Sequence, residues 1–209
     1  MAPRPYRSQK RAEAVAETRR RITEAVVQLH REKGVISTTY DDIARRADVA
    51  PATVYRHFPS VDDLIPACGA RIMEITSPPG PDVFDGHRTP AGRLQALVEE
   101  LFAFWRRAEP WLSVGRGEAP KVPALEANLR MQDEDIRSLV VSVLGSDANE
   151  SAVRLVGAMT DFYTWKALKA AGLEEEAPAI VTRILSTQVS SEALPDNEGG
   201  NNVGSTRNR

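Results

Sequence analysis

Pro51 and Pro59 bracket the segment ATVYRHF. Proline suits the first position of a helix and pushes the residue before it out of the helical region. Any helix between them is therefore about two turns long. Upstream, TTYDDIARRADV predicts a second short helix. Thr39 is its cap, Asp42 stands three residues on in the capping-box position, and two acids occupy the first turn. It ends near Asp48, a residue type that tolerates the left-handed conformation. Before it, Ile22, Ala25, Val26 and Leu29 recur at i, i+3, i+4 and i+7, which predicts a helix over Val15–Lys33 stopped by Gly34. After it, Ser60 caps a fourth helix, with Asp63 as the reciprocal acid, that runs through Leu64 and Ile65 past Cys68. Two short helices joined by a tight turn and flanked by two others make a helix-turn-helix layout. Ala44 is small enough for the third helix to cross closely, and Val49 anchors the turn.

The rest of the chain has the same periodicity. AGRLQALVEELFAFWRRA carries Leu94, Leu97, Val98, Leu101 and Phe102 at helical spacing. Further helices are expected over 123–144, 148–171 and 174–188, with Gly172 between the last two. The Pro- and Gly-rich stretch TSPPGPDVFDGHRTP, residues 76–90, precludes regular structure there. No strand of convincing length and no internal repeat is present. The expectation is an all-α protein: an N-terminal helix-turn-helix domain and a C-terminal helical domain. Its parts are a flexible basic arm over 1–14, the helix-turn-helix domain over 15–68 with its motif at 39–58, a second helical domain over 69–189, and a disordered polar tail over 190–209.

Bulk properties narrow the function. The 209 residues are 42% hydrophobic and 27% charged, enough for a sizeable core. The one cysteine, Cys68, excludes an internal disulfide and fits a reducing cytoplasm. No apolar run approaches the roughly 20 residues that span a bilayer, so no membrane partner is expected. Lys and Arg outnumber Asp and Glu over residues 1–60, and the reverse holds over 61–209. A cationic end that meets a polyanion is the natural reading.

With Val54 and Phe58 turned inward, a wheel at about 100° per residue puts Ala52, Thr53 and Arg56 on the opposite side of the third helix. Tyr55 and His57 fall at its edges. An arginine can grip guanine O6 and N7, a threonine can meet a base edge, and an alanine leaves room or touches a thymine methyl. Edge Tyr and His suit phosphate oxygens.

TTYDDIARRADVAPATVYRHFPSVDDL resembles the DNA-binding signature of the TetR family of transcriptional regulators, over about Thr18 to Leu64. The resemblance implies phosphate contacts from Thr39, Tyr55 and His57, with Tyr40 beside Thr39 at the start of the second helix. It implies that Pro51, Ala52, Thr53 and Arg56 approach bases, and that the arm Arg4–Arg11 reaches a neighbouring groove. Three positions depart from the family pattern. Asp48 stands for the usual Gly of the turn and Ala50 for the usual capping Ser, at a cost of about 1 kcal/mol. Val61 stands where a phosphate-binding Lys is common, which predicts a slightly shallower salt dependence.

The segment 148–171 is apolar on two faces, Ala152, Val156, Met159 and Tyr163 on one and Leu155, Ala158, Phe162 and Trp165 on the other. Both need cover. The stripe with Ile180 and Ile184 on the next helix offers a neighbouring surface. Two such helices from each of two chains form a four-helix bundle, so a homodimer is expected, with Ala152, Val156, Met159, Tyr163, Ile180 and Ile184 at the interface. A two-fold dimer implies a palindromic double-stranded operator.

Aromatic residues cluster in the body, either as plain core or around an apolar pocket for a small-molecule effector. Family resemblance favours the pocket, with Phe102, Trp105, Arg106, Trp111, Asp161, Phe162 and Trp165 as candidate lining and an apolar or aromatic effector. No Gly-rich phosphate loop, triad spacing or metal-ligand pair is present, so neither cofactor nor metal is expected and an enzyme is disfavoured. The sequence reads as a cytoplasmic, effector-responsive repressor. The competing reading is a helical interaction protein that keeps the fold without an effector.

Overall fold

A computed structural model of the chain describes residues 5–145 and 148–190. Among these the regular structure is helical: α1 (Pro5–Lys33), α2 (Tyr40–Ala47), α3 (Pro51–His57), α4 (Val61–Thr76), α5 (Pro90–Glu118), α6 (Pro123–Leu144), α7 (Glu150–Met159), α8 (Phe162–Ala170) and α9 (Ala177–Ser190). Short 3-10 turns at Pro81–Phe84 and Ala119–Lys121 flank α5.

The side chains form two cores. In the first, Ile22, Val26 and Leu29 of α1 meet Ile43 and Ala47 of α2, Val54 of α3, Phe58, and Leu64, Ile65 and Cys68 of α4. Val54 and Phe58 are fully enclosed, as the wheel required. Burying each such side chain contributes about 1.5–3 kcal/mol. In the second, α5 runs through the middle of the body, with Leu97, Leu101, Phe104 and Trp105 packed against α6, α8 and α9. Trp111, nearly two turns further along α5, packs on the first core and donates its Nε1–H to the Val27 carbonyl at 2.9 Å. One helix therefore joins both cores.

Four differences from the sequence reading have local causes. Residues 5–14, expected as a flexible arm, are the start of α1, opened by Pro5 at a favoured first position. Helix α4 runs unbroken through the expected domain boundary at 68 to Thr76. Helix α5 continues past Ala108, through Pro110, to Glu118. The single helix expected over 148–171 is two. Asp161 caps α8, its Oδ1 accepting the Tyr163 N–H at 2.7 Å, and Thr160 returns its hydroxyl to the Val156 carbonyl at 2.8 Å. The carbonyl of Thr160 is taken by Trp105 Nε1–H at 2.8 Å, so the break leaves that group satisfied. Arg4 of the expected arm and the 190–209 tail beyond Ser190 lie outside the described residues.

Candidate nucleic-acid interface and junction cavity

Thr39 caps α2 in a closed box. Its hydroxyl donates to Asp42 Oδ2 at 2.6 Å, and the Asp42 N–H donates back to Thr39 Oγ1 at 3.2 Å. Lys33 Nζ lies 2.5 Å from the same carboxylate, and that contact first, then Thr39, holds the Asp42 carboxyl far below the usual range. The single proton of the Thr39 hydroxyl is thus committed to the cap.

The turn into α3 depends on Asp48, which does adopt the left-handed conformation (φ 52°, ψ 57°). Arg21 of α1 holds it there. Its guanidinium binds the carbonyls of Ala47 and Asp48, the latter at 2.8 Å, and lies 3.6 Å from the Asp48 carboxylate. Ala50 offers α3 no side-chain cap.

Helix α3 leaves Pro51, Ala52, Tyr55 and Arg56 exposed, with Thr53 and His57 half-buried. Other arginines of this domain are engaged: Arg46 with Glu32 at 2.7 Å, Arg71 with Glu24 at 3.1 Å, and Arg19 with the His57 carbonyl at 2.7 Å and the Phe58 ring at 4.0 Å. Arg56 has no hydrogen bond or ion pair among the described residues. Burial first, then Arg56 and Arg19, lower the His57 pKa, so its imidazole is neutral at pH 7 and can offer a phosphate a hydrogen bond rather than an ion pair.

Tyr40 takes a different place from the one expected. Its hydroxyl turns inward and donates to the Phe58 carbonyl at 3.0 Å. Its ring stacks on Tyr55, with centroids 4.4 Å apart and planes 15° apart. Tyr40 therefore braces Tyr55 and the end of α3, leaving only Tyr55 to present its hydroxyl outward. Asp63 accepts from Ser60 Oγ at 2.6 Å and from the Ser60 N–H at 3.1 Å as the cap of α4.

Residues 22–68 match the family described as bacterial regulatory proteins, tetR family. This segment is a TetR-family domain. Over 93 residues the chain is 33% identical to the HTH-type transcriptional repressor KstR of Rhodococcus jostii (strain RHA1), a match covering 42% of this chain and 41% of that one. It thus spans about two fifths of the curated relative's length. A TetR transcription regulator from Haloarcula marismortui is similar in structure, with TM-score 0.61 and 19% identity over 84% of this chain and 98% of that one. The multidrug binding protein EbrR, in complex with imidazole, is similar at TM-score 0.61 and 19% identity over 87% and 93%. These likenesses establish that the helical body behind the TetR-family domain shares the fold of such proteins.

The residues expected at the effector site fall in several places. Phe102, Trp105, Phe162 and Trp165 are buried core, with Trp105 and Phe162 edge to face at 5.8 Å. Arg106 is a surface residue paired with Glu174 at 2.8 Å and Glu175 at 3.2 Å. Asp161 caps α8 and, with Trp105, borders a separate cleft between α5, α6 and α7. Of the seven, Trp111 borders a partly open cavity of about 70 Å³ between α1, α4, α5 and α6, where the TetR-family domain meets the body. His30, Cys68 and Gln132, none of them singled out by sequence, also line it. Burial lowers the His30 pKa to about 4 and pushes the Cys68 thiol up to about 12, so both are neutral. Cys68 Sγ lies 3.6 Å from His30 Nδ1.

Some of the residues expected at a dimer interface are enclosed within the chain. Val156 is fully buried, and Ala152 and Met159 pack partly against the body core. The exposed apolar side chains of α7, α8 and α9 include Leu155, Tyr163 and Ile184. Among the described residues no helix is long and apolar enough to cross a membrane, and no three His, Cys, Asp or Glu side chains converge as a metal site needs.

Proposed function

We propose that this protein is a transcriptional repressor that binds a palindromic operator as a homodimer and is released by a small effector held at the domain junction. The observation that carries DNA binding is Arg56. It is exposed and unpaired on a helix whose opposite side, Val54 with Phe58, is locked in the core. An arginine so placed costs nothing to release from a rival partner and suits a guanine edge in the major groove. Tyr55, braced by Tyr40, and neutral His57 suit phosphates to either side. The repressor relative supports the direction of regulation. Such a protein acts in the cytoplasm, where the DNA is.

The effector half rests on the cavity and on the likeness to EbrR, described as multidrug binding. Helix α4 contributes Ile65, Cys68, Ile72 and Met73 to the cavity wall while its first turns pack on α1 and α3. A ligand that fills the cavity displaces α4 against α5 and α6 and so moves the DNA-binding domain. Two-fold mates read half-sites about 34 Å apart, and a ligand that binds better to the wider spacing shifts the population off DNA. Leu155, Tyr163 and Ile184 form the core of the dimer contact in this reading.

A gel-shift titration with DNA flanking the protein's own gene tests it. Salt-sensitive binding of two chains to a two-fold symmetric site is the expected result. Absence of binding at every flanking site at low salt would leave the helical interaction protein as the better reading.

A further inference from the structure

The junction cavity is mostly apolar, with Ile65, Ile72, Leu125, Leu129 and Trp111 on its walls. Its polar lining is His30, Cys68, Thr76, Asn128 and Gln132, and among these only Gln132 of α6 has a buried side-chain atom without a hydrogen-bond partner. It is 9% exposed, and its Nε2–H donates to the thioether sulfur of Met73 at 3.6 Å. A thioether can only accept, so the amide must turn its nitrogen that way. Oε1 is left in the cavity wall, buried and without a hydrogen-bond partner. A buried acceptor without a partner in a mostly apolar space selects for a ligand that brings one donor and otherwise carbon.

Charge is unwelcome there. His30 and Cys68 are both held neutral by burial. Glu118, close by at Gly34, has its carboxylate occupied by the N–H groups of Val35 and Ile36 at 2.6 and 3.3 Å. An ionic ligand would lose its hydration without gaining a counter-charge. Size is bounded too. About 70 Å³ is roughly half of the ~150 Å³ that a dry apolar cavity offers to benzene. Met73, unbranched and flexible, is the wall that can yield to admit a ring.

We propose that the junction cavity binds small neutral alcohols or phenols, whose hydroxyl donates to Gln132 Oε1 while the carbon skeleton lies against Ile72, Leu129 and Trp111. This deepens the effector reading and rests on it for its regulatory meaning, though not for the binding itself.

Calorimetry on the full chain without DNA, with phenol, benzene and benzoate as probes, tests the chemistry. Phenol should bind on the order of ten times more tightly than benzene, the worth of one buried hydrogen bond, and benzoate should not bind. In Gln132→Met the phenol advantage should vanish while benzene still binds. Methyl NMR of the unaltered protein keeps the test open should that variant not fold: of the four methionines, Met73 should shift with phenol. Equal affinity for phenol and benzene, no binding of either, or a shift confined to methionines other than Met73 would overturn the proposal. A gel shift with phenol present is a separate arm. Phenol that binds at Met73 yet leaves DNA bound would sink the effector reading and leave the alcohol site standing.

Discussion

The carboxylate of Glu118, in the last turn of α5, accepts the backbone N–H of Val35 at 2.6 Å and of Ile36 at 3.3 Å. The central helix of the body thereby holds the loop between α1 and α2. Gly34 beside it has φ 83°, and a Cβ there would lie 2.6 Å from Glu118 Oε1, so this position needs glycine on both counts. Glu118→Ala removes a charged acceptor from two N–H groups. The expected loss is about 1.5–3 kcal/mol in urea unfolding. An unchanged midpoint would mean the contact does not tie the domains together.

Tyr40 supports Tyr55 from behind. Tyr40→Ala should weaken DNA binding about evenly across single-base operator variants, because it frees a phosphate-facing ring and touches no base. Tyr40→Phe keeps the stack, loses only the Phe58 carbonyl bond, and should cost about 1 kcal/mol of stability with little change in DNA affinity. Sequence-dependent losses in the Tyr40→Ala panel would contradict the bracing role.

Arg56 and Val61 should separate reading from gripping. Arg56→Ala should relax preference at one base pair per half-site by about 1–3 kcal/mol. Val61, 42% exposed at the start of α4, is a free position for a cation. Val61→Lys should tighten binding to all sequences and steepen the salt slope by about 0.9 per subunit. If Arg56→Ala changed neither affinity nor preference, the groove face of α3 would be assigned wrongly.

His30 should make the protein acid-sensitive. Burial holds its imidazole at about 4, below the usual 6.5. Between those values the unfolded chain binds the extra proton and the folded one does not. The contribution of neutral His30 is therefore whole above pH 6.5 and is lost as pH falls toward 4, by up to about 3 kcal/mol. Urea midpoints of His30→Gln should vary less than those of the unaltered protein between pH 7 and 4.5. The Asp42 carboxyl, held far lower by Lys33, titrates below this window and does not confuse it. Parallel curves for the two proteins would show that His30 does not titrate on unfolding.

Local and periodic features were open to reading from residues alone. The two capping boxes, Thr39 with Asp42 and Ser60 with Asp63, need side chains only three positions apart. The bracketing of α3 by Pro51 and Pro59, and the inward turn of Val54 and Phe58, follow from backbone sterics and a 3.6-residue period. These are the features that resemble the TetR family, so the DNA-binding end was legible. The Thr160–Asp161 break also left a local signal, a capping pair inside an apolar run, that periodicity masked.

What the tertiary structure alone decided lies between segments far apart in the chain. Periodicity showed that 148–171 had two apolar faces, but which face the body takes depends on the shape of α5 and α9, and Val156 went inward. Tyr40 turned inward because the Phe58 carbonyl, eighteen residues away, waits there for a donor. Helix spacing made the aromatic cluster a candidate pocket, whereas close packing filled that region with Trp105, Phe162 and Trp165. One space that remains is where α1, α4, α5 and α6 fail to fill the junction, at Gln132. A cavity is a mismatch between surfaces, and no single stretch of sequence carries both sides of it.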